Sequence, residues 1–315
     1  MSTIHDVIIV GSGPAGWTAA TYTGRAGLSP LVLAGTLEAG GALMNTTEVE
    51  NFPGWPEPIL GPELMMRMQQ QAERFGAQVR YEDAISCDLA SDIKTVTTAD
   101  ATYQAKTVIL ALGSEYRKLG LEGEATFSGK GVSYCATCDG FFFKGKEIAV
   151  VGGGDSAVTE AIFLSRFGST VHVIHRRDEL RASKVMANRI EEIENIKVHW
   201  NSKVAEIHGS GGLEALTLED TVTGETSELP VSGLFVAIGH KPRSGMLDGQ
   251  VDLDDHGYIV VDSPSAKTSL PGVFACGDVV DSTYQQAVTA AGTGCVAALD
   301  AEAYLIRMEA EAAAQ

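Results

Sequence analysis

Two cysteines stand three positions apart in the run Cys135-Ala136-Thr137-Cys138-Asp139-Gly140. That spacing suits a redox disulfide, half of a zinc site, or a chance pair. A structural zinc site needs a second pair of ligands. Cys87, Cys276 and Cys295 are scattered singly, and no two histidines stand at the spacing of a zinc-ligand pair. The better reading is a dithiol that cycles with its disulfide, because so short a loop closes quickly and reversibly. Asp139 follows the second thiol directly. A carboxylic acid there can protonate a departing thiolate, provided burial raises its pKa. The same Asp-Gly step also reads as a turn into Phe141-Phe142-Phe143, and both readings stay open at this point. Cys276 and Cys295 lie in apolar or glycine-rich stretches and read as small packing residues.

A second chemistry belongs to His175-Arg176-Arg177 and Arg181, which follow the apolar run Thr170 to Ile174. At the end of the second strand of a dinucleotide fold, a carboxylate binds a ribose 2′-hydroxyl and arginines accommodate a 2′-phosphate. Each charge-assisted hydrogen bond contributes about 1.5–3 kcal/mol, so two or three favour NADPH over NADH a hundredfold or more. A solvated basic helix start is the plainer reading, and three arginines within six residues of so acidic a chain weigh against it. Of the seven histidines, only His175 belongs to such a constellation.

These groups need elements to hold them, and the chain supplies one device twice. Asp6 to Gly16 reads DVIIVGSGPAG, and Glu147 to Ala157 reads EIAVVGGGDSA. Each is a buried-strand run, a glycine turn, and small residues opening an apolar-periodic helix (Thr18 to Arg25; Val158 to Phe167). In each, the first glycine permits the tight turn and the second lets the backbone approach a pyrophosphate. The third small residue packs helix on strand, and the helix N-terminus meets the phosphates. One such motif is weak evidence; two in matching context are strong. The expected fold class is α/β with two Rossmann-like dinucleotide-binding domains. The first copy lacks arginines: its second strand, Pro30 to Leu33, leads to Glu38 as the nearest partner for a ribose hydroxyl.

Composition agrees. A chain of 315 residues with 44% hydrophobic residues can bury two cores. Its formal net charge of −18 argues against nucleic-acid or anionic-membrane partners, so an anionic cofactor must be held by local groups. No apolar run approaches a membrane span, and the start of the chain shows no leader pattern. The cytoplasm is the expected compartment.

The motifs GSGPAG (11–16), TTEVENFPG (46–54), CATCDGFFF (135–143), GGGDSA (152–157), HRRDELRASK (175–184), LFVAIGHKP (234–242), PGVFACGD (271–278) and AGTGC (291–295) make nearly the whole chain resemble the bacterial-type, low-molecular-weight thioredoxin reductase family. That resemblance implies an FAD domain built from residues 1–114 and 244–315, with an NADPH domain, 115–243, inserted between them. It implies a homodimer, FAD and NADPH as cofactors, and thioredoxin as protein substrate. Electrons would run from NADPH through FAD to the Cys135–Cys138 disulfide.

Site roles carry over by position. FAD would meet Gly11, Ser12, Gly13, Pro14, Ala15 and Gly16, and then the loop Thr36, Leu37, Glu38, Ala39, Gly40, Gly41, Ala42 and Leu43. Asn51 and Ala84 would join it, with Gly277, Asp278, Gln285, Gln286, Ala287 and Val288 from the later segment. NADPH would meet Gly152, Gly154, Asp155, Ser156, Ala157, His175, Arg176, Arg177, Arg181, Ile238 and Tyr258. Cys138 would face the flavin and Cys135 attack the thioredoxin disulfide, with Asp139 as the acid. Three positions depart from the common pattern: Ala42 replaces a glutamine, Gln285 an arginine, and Cys276 an alanine. Related dithiol oxidases and ferredoxin-dependent enzymes do not need the arginines at 176, 177 and 181, which sets this chain apart from them. A nucleotide-binding redox sensor is the rival of another class, and the dithiol beside an acid disfavours it.

Overall fold

The computed structural model describes residues 3–36, 39–46, 48–247 and 249–314. The chain forms two compact units, 1–115 with 241–315, and 116–240, so that the second is an insertion in the first.

In the first unit, strand Ile4–Val10 is central to a seven-stranded sheet. Strands Leu31–Leu33 and Gln78–Arg80 follow in parallel on one side. On the other side strand Thr102–Leu110 pairs in parallel. Its far edge is shared between the antiparallel strand Lys94–Thr97 and the parallel strand Val273–Ala275. The central strand is apolar on both faces because both are covered. Val7 and Ile9 point to one core with helix Pro14–Arg25 and the long helix Ala287–Ala313, while Ile8 and Val10 point to the other. The long helix can approach because Gly294 lies against the backbone of Ala15, where a Cβ would collide.

The inserted unit repeats the plan. Its five parallel strands run Val132–Ser133, Gly233–Val236, Glu147–Val151, Thr170–Ile174 and Ile196–His199 across the sheet. Helix Asp155–Leu164 covers one face; an antiparallel three-stranded sheet, Ser202–Gly209, Leu213–Asp220 and Thr226–Pro230, supplies the core on the other. Among the described residues no helix is long and apolar enough to cross a membrane.

Candidate active site and its two glycine cradles

The glycine turns test themselves sterically. Gly11 has φ of 108°, and a Cβ there would strike the Ala111 carbonyl; one on Gly16 would strike the Gly11 carbonyl. In the inserted unit Gly152 has φ of 158°, with the Ala237 carbonyl in the way of a Cβ, and the fully buried Ala157 fills the third position. The middle glycines differ. Among the described residues, a Cβ on Gly13 or Gly154 would meet nothing within 4 Å. Both have extended backbone open to any residue, and each caps a helix that lacks a side-chain cap. The first and third positions are thus fixed by the protein's own packing. The second is not, and it lies beside helix-start amides that a pyrophosphate can accept from.

Around the first turn, the Ser12 hydroxyl donates to the Ala34 carbonyl at 2.6 Å and accepts from the Gly40 amide at 2.8 Å. That brings the segment beginning at Ala39 and Gly40 onto the turn, with an ideal Cβ on Gly41 3.3 Å from the Gly13 Cα. Ala42 and Leu43 continue in the short 3₁₀ helix Gly41–Asn45. Asp83, which sequence reasoning passed over, holds Thr36 by its amide at 3.1 Å and its hydroxyl at 2.6 Å. Ala84 follows it, packed on the second core. Leu37 and Glu38 lie outside the described residues. Asn51 donates to Gln286 at 3.4 Å, and Gln286 caps the long helix that begins with Ala287 and Val288. The Gly277 amide donates to Thr293 at 2.9 Å, in a turn with φ of 76°. Burial, with Asp281 adding to it, pushes the Asp278 carboxyl up to about 6. Asp278 is half-buried, and no protein donor among the described residues bonds its carboxyl, whose oxygens can accept from a ligand hydroxyl. The open cradle, the uncapped helix and this carboxyl fit a dinucleotide such as FAD. Cys276 is fully buried, and burial raises its thiol to about 12, which makes it a packing residue.

In the inserted unit, Asp155 turns its carboxylate to the amide and hydroxyl of Ser183, at 2.9 and 3.0 Å, and leaves Ser156 exposed on the first helical turn. The Arg181 amide donates to the Gly153 carbonyl at 2.7 Å, which places the arginine segment beside the glycine turn. Arg176, Arg177 and Arg181 are exposed, with no acidic partner among the described residues. His175 is buried, its ring nitrogens 2.9 Å from the carbonyls of Gly152 and Glu179. A neutral ring donates to one of these carbonyls, which holds it against the glycine turn or against the segment that carries the arginines. Ile238 lies just past strand Gly233–Val236, next to Ala237, whose carbonyl faces Gly152. Tyr258 belongs to the first unit, where its hydroxyl accepts from Gln285 at 3.3 Å.

Cys135 and Cys138 are joined as a disulfide, Cα–Cα 5.3 Å, at the start of the short helix Ala136–Asp139. Cys138 is exposed and Cys135 half-buried. Burial pushes the Asp139 carboxyl above the usual carboxylate range, opposed by a 2.6 Å hydrogen bond from Ser133. Phe141 and Phe142 are 58% and 42% exposed beside the dithiol, while Phe143 turns into the core. Only tertiary packing separates three residues that read identically in the sequence. Two further groups escaped the sequence reading. Glu160 has a buried carboxyl oxygen with no partner among the described residues, and burial raises its carboxyl to about 7. His172 and His199 pair at 2.9 Å across neighbouring strands, with Glu147 3.2 Å from His172. His175 is therefore not alone in belonging to a constellation; strand register creates the other one.

The pyridine nucleotide-disulphide oxidoreductase family model matches residues 5–294. The thioredoxin reductase of Streptomyces clavuligerus is 61% identical over 306 residues, covering 97% of this chain and 95% of that protein. That of Streptomyces coelicolor is 58% identical over 312 residues, covering 99% and 97%. Among solved structures, the thioredoxin reductase from Streptococcus pyogenes has a TM-score of 0.91 at 41% identity, covering 98% of this chain and all of that one. With a matched family model and relatives this similar over nearly their whole length, the chain belongs to the thioredoxin reductases of the pyridine nucleotide-disulphide oxidoreductase family.

Proposed function

We propose that the chain is an NADPH-dependent thioredoxin-disulfide reductase that moves electrons from NADPH through FAD to the Cys135–Cys138 disulfide and on to thioredoxin. The observation that carries this reading is a closed Cys-x-x-Cys disulfide in a chain with two open glycine cradles. Bound FAD would supply the hydride and electron-pair transfer between nicotinamide and disulfide, chemistry that no side chain supplies.

The protein's residues bind, orient and move protons. The cradle at Gly11 to Gly16 would hold FAD, with the loop Thr36 to Leu43, Asn51, Asp278, Gln285 and Gln286 around it. The cradle at Gly152 to Ala157 would hold NADPH, because the exposed Arg176, Arg177 and Arg181 stand beside it and suit a 2′-phosphate. His175 positions those arginines. In the reduced enzyme a thiolate of the pair, Cys135 by the resemblance, attacks a sulfur of the thioredoxin disulfide. The other thioredoxin sulfur departs as a thiolate and takes a proton from Asp139. Cys138 gives its proton to the Asp139 carboxylate and attacks Cys135, releasing the first thioredoxin sulfur, which takes up that proton as the enzyme disulfide re-forms. Exposed Phe141 and Phe142 give a partner protein an apolar footing next to the dithiol. The dithiol persists in a reducing compartment, in keeping with cytoplasmic residence, and the working form is a homodimer.

The test is NADPH oxidation by the purified protein with and without oxidised thioredoxin, with NADH as the control. Turnover that requires thioredoxin and strongly prefers NADPH is the expected result. Flavin reduction without thioredoxin turnover would move the substrate elsewhere. Equal use of NADH would remove the role given to the arginines.

A further inference from the structure

Ser133 ends the strand that leads into the dithiol, paired to Phe235 of strand Gly233–Val236, and is only 6% exposed. Its hydroxyl is held from two sides. The Cys135 amide donates to it at 3.1 Å, and it lies 2.6 Å from Asp139 Oδ2. The Cys135 carbonyl is a second possible acceptor at 3.4 Å. That carbonyl already accepts the amides of Cys138 and Asp139, at 3.3 and 3.1 Å. A hydroxyl has one proton and two lone pairs. With one lone pair filled by the Cys135 amide, the proton goes to the shorter and less crowded acceptor, the ionised Asp139.

We propose that Ser133 is a positioning residue of disulfide exchange, whose hydroxyl, anchored on the Cys135 amide, sets the pH at which Asp139 delivers its proton. The proposal rests on the reading of Asp139 as the acid. With Asp139 protonated, its O–H donates to the free lone pair of Ser133, and the serine proton turns to the Cys135 carbonyl. When Asp139 gives its proton to the departing thioredoxin thiolate, the serine proton swings back to the new carboxylate. One proton leaves Asp139, one S–H bond forms on thioredoxin, and Ser133 neither gains nor loses a proton. The hydrogen bond to the ionised form holds down a carboxyl that burial would otherwise raise further.

The test is the pH profile of single-turnover oxidation of the reduced holoenzyme by thioredoxin, which falls on the alkaline side as Asp139 loses its proton. In Ser133→Ala that limb should move upward by about one pH unit. In Ser133→Thr, which keeps the hydroxyl, it should stay in place. Ser133→Val, compared with Ser133→Thr at nearly equal volume, repeats the comparison if the alanine variant does not retain FAD. In Asp139→Asn the limb should vanish, and adding Ser133→Ala should shift nothing further. A uniform loss of rate in Ser133→Ala and Ser133→Val with the limb unmoved would make Ser133 merely structural and overturn the proposal. An unchanged limb in Asp139→Asn would overturn the reading of Asp139 itself, and the proposal with it.

Discussion

Individual side chains here divide between those whose identity announces a task and those whose surroundings create one. Cys135, Cys138 and the arginines belong to the first kind, since thiol spacing and charge against an acidic background are visible in one dimension. Exposure is not. Cys138 is exposed and Cys135 half-buried in the disulfide form, a difference that six letters cannot encode. Paired cysteine variants probe it. Cys138→Ser should trap a mixed disulfide with thioredoxin more completely than Cys135→Ser, read on a non-reducing gel; the reverse order would pass the attack to Cys138. The arginines make an independent prediction. Arg177→Ala should lower kcat/KM for NADPH by roughly tenfold to a hundredfold, one charge-assisted contact, and leave the NADH value nearly unchanged. Equal losses for both nucleotides would show that Arg177 does not meet the 2′-phosphate.

At the scale of elements, strand–turn–helix units were legible because their hydrophobic period and glycine spacing are local. Strands Glu147–Val151 and Thr170–Ile174 fall where the apolar runs stand. What stayed hidden depends on neighbours distant in sequence, such as Asp83 holding Thr36 from 47 residues away. The cradles allow folding and binding to be separated. Gly154→Ala meets no steric obstacle, so its stability should stay within about 0.5 kcal/mol of the parent. Its NADPH affinity should fall at least about tenfold, because the methyl group occupies the approach of the pyrophosphate. Gly152→Ala, at positive φ against a carbonyl, should instead destabilise the unit in chemical denaturation. Helix Asp155–Leu164 also carries Glu160, whose carboxyl is raised to about 7 by burial. A carboxyl with a raised folded-state pKa binds more protons folded than unfolded, so it destabilises the fold increasingly as pH rises from the usual carboxylate range through about 7. Glu160→Gln should therefore add on the order of 2 kcal/mol at pH 8 and almost nothing at pH 4. Equal effects at both values would mean that Glu160 acts through packing rather than charge.

For the whole molecule, the chemistry demands a redox match more than a particular shape. Thioredoxin lies near about −270 mV, and about 30 mV is worth 1.4 kcal/mol for two electrons. A redox titration should place the Cys135–Cys138 couple within a few tens of millivolts of that value; a far more oxidising potential would stop electrons from reaching thioredoxin. Sedimentation of the holoenzyme should give twice the 33.2 kDa of the chain. The insertion was beyond any local reading, because repeats at two positions say nothing of which segment returns to which sheet. The outermost parallel strands carry a lesson of their own. In the first unit that place is taken by Val273–Ala275, which leads to Gly277 and Asp278; in the second it is taken by Val132–Ser133, which leads to Cys135 and Asp139. The two units are thus circular permutants in strand order, one receiving its outermost strand last and the other first. The loops that follow these strands are therefore topological counterparts, and the dithiol of one unit stands where the other carries Gly277 and Asp278.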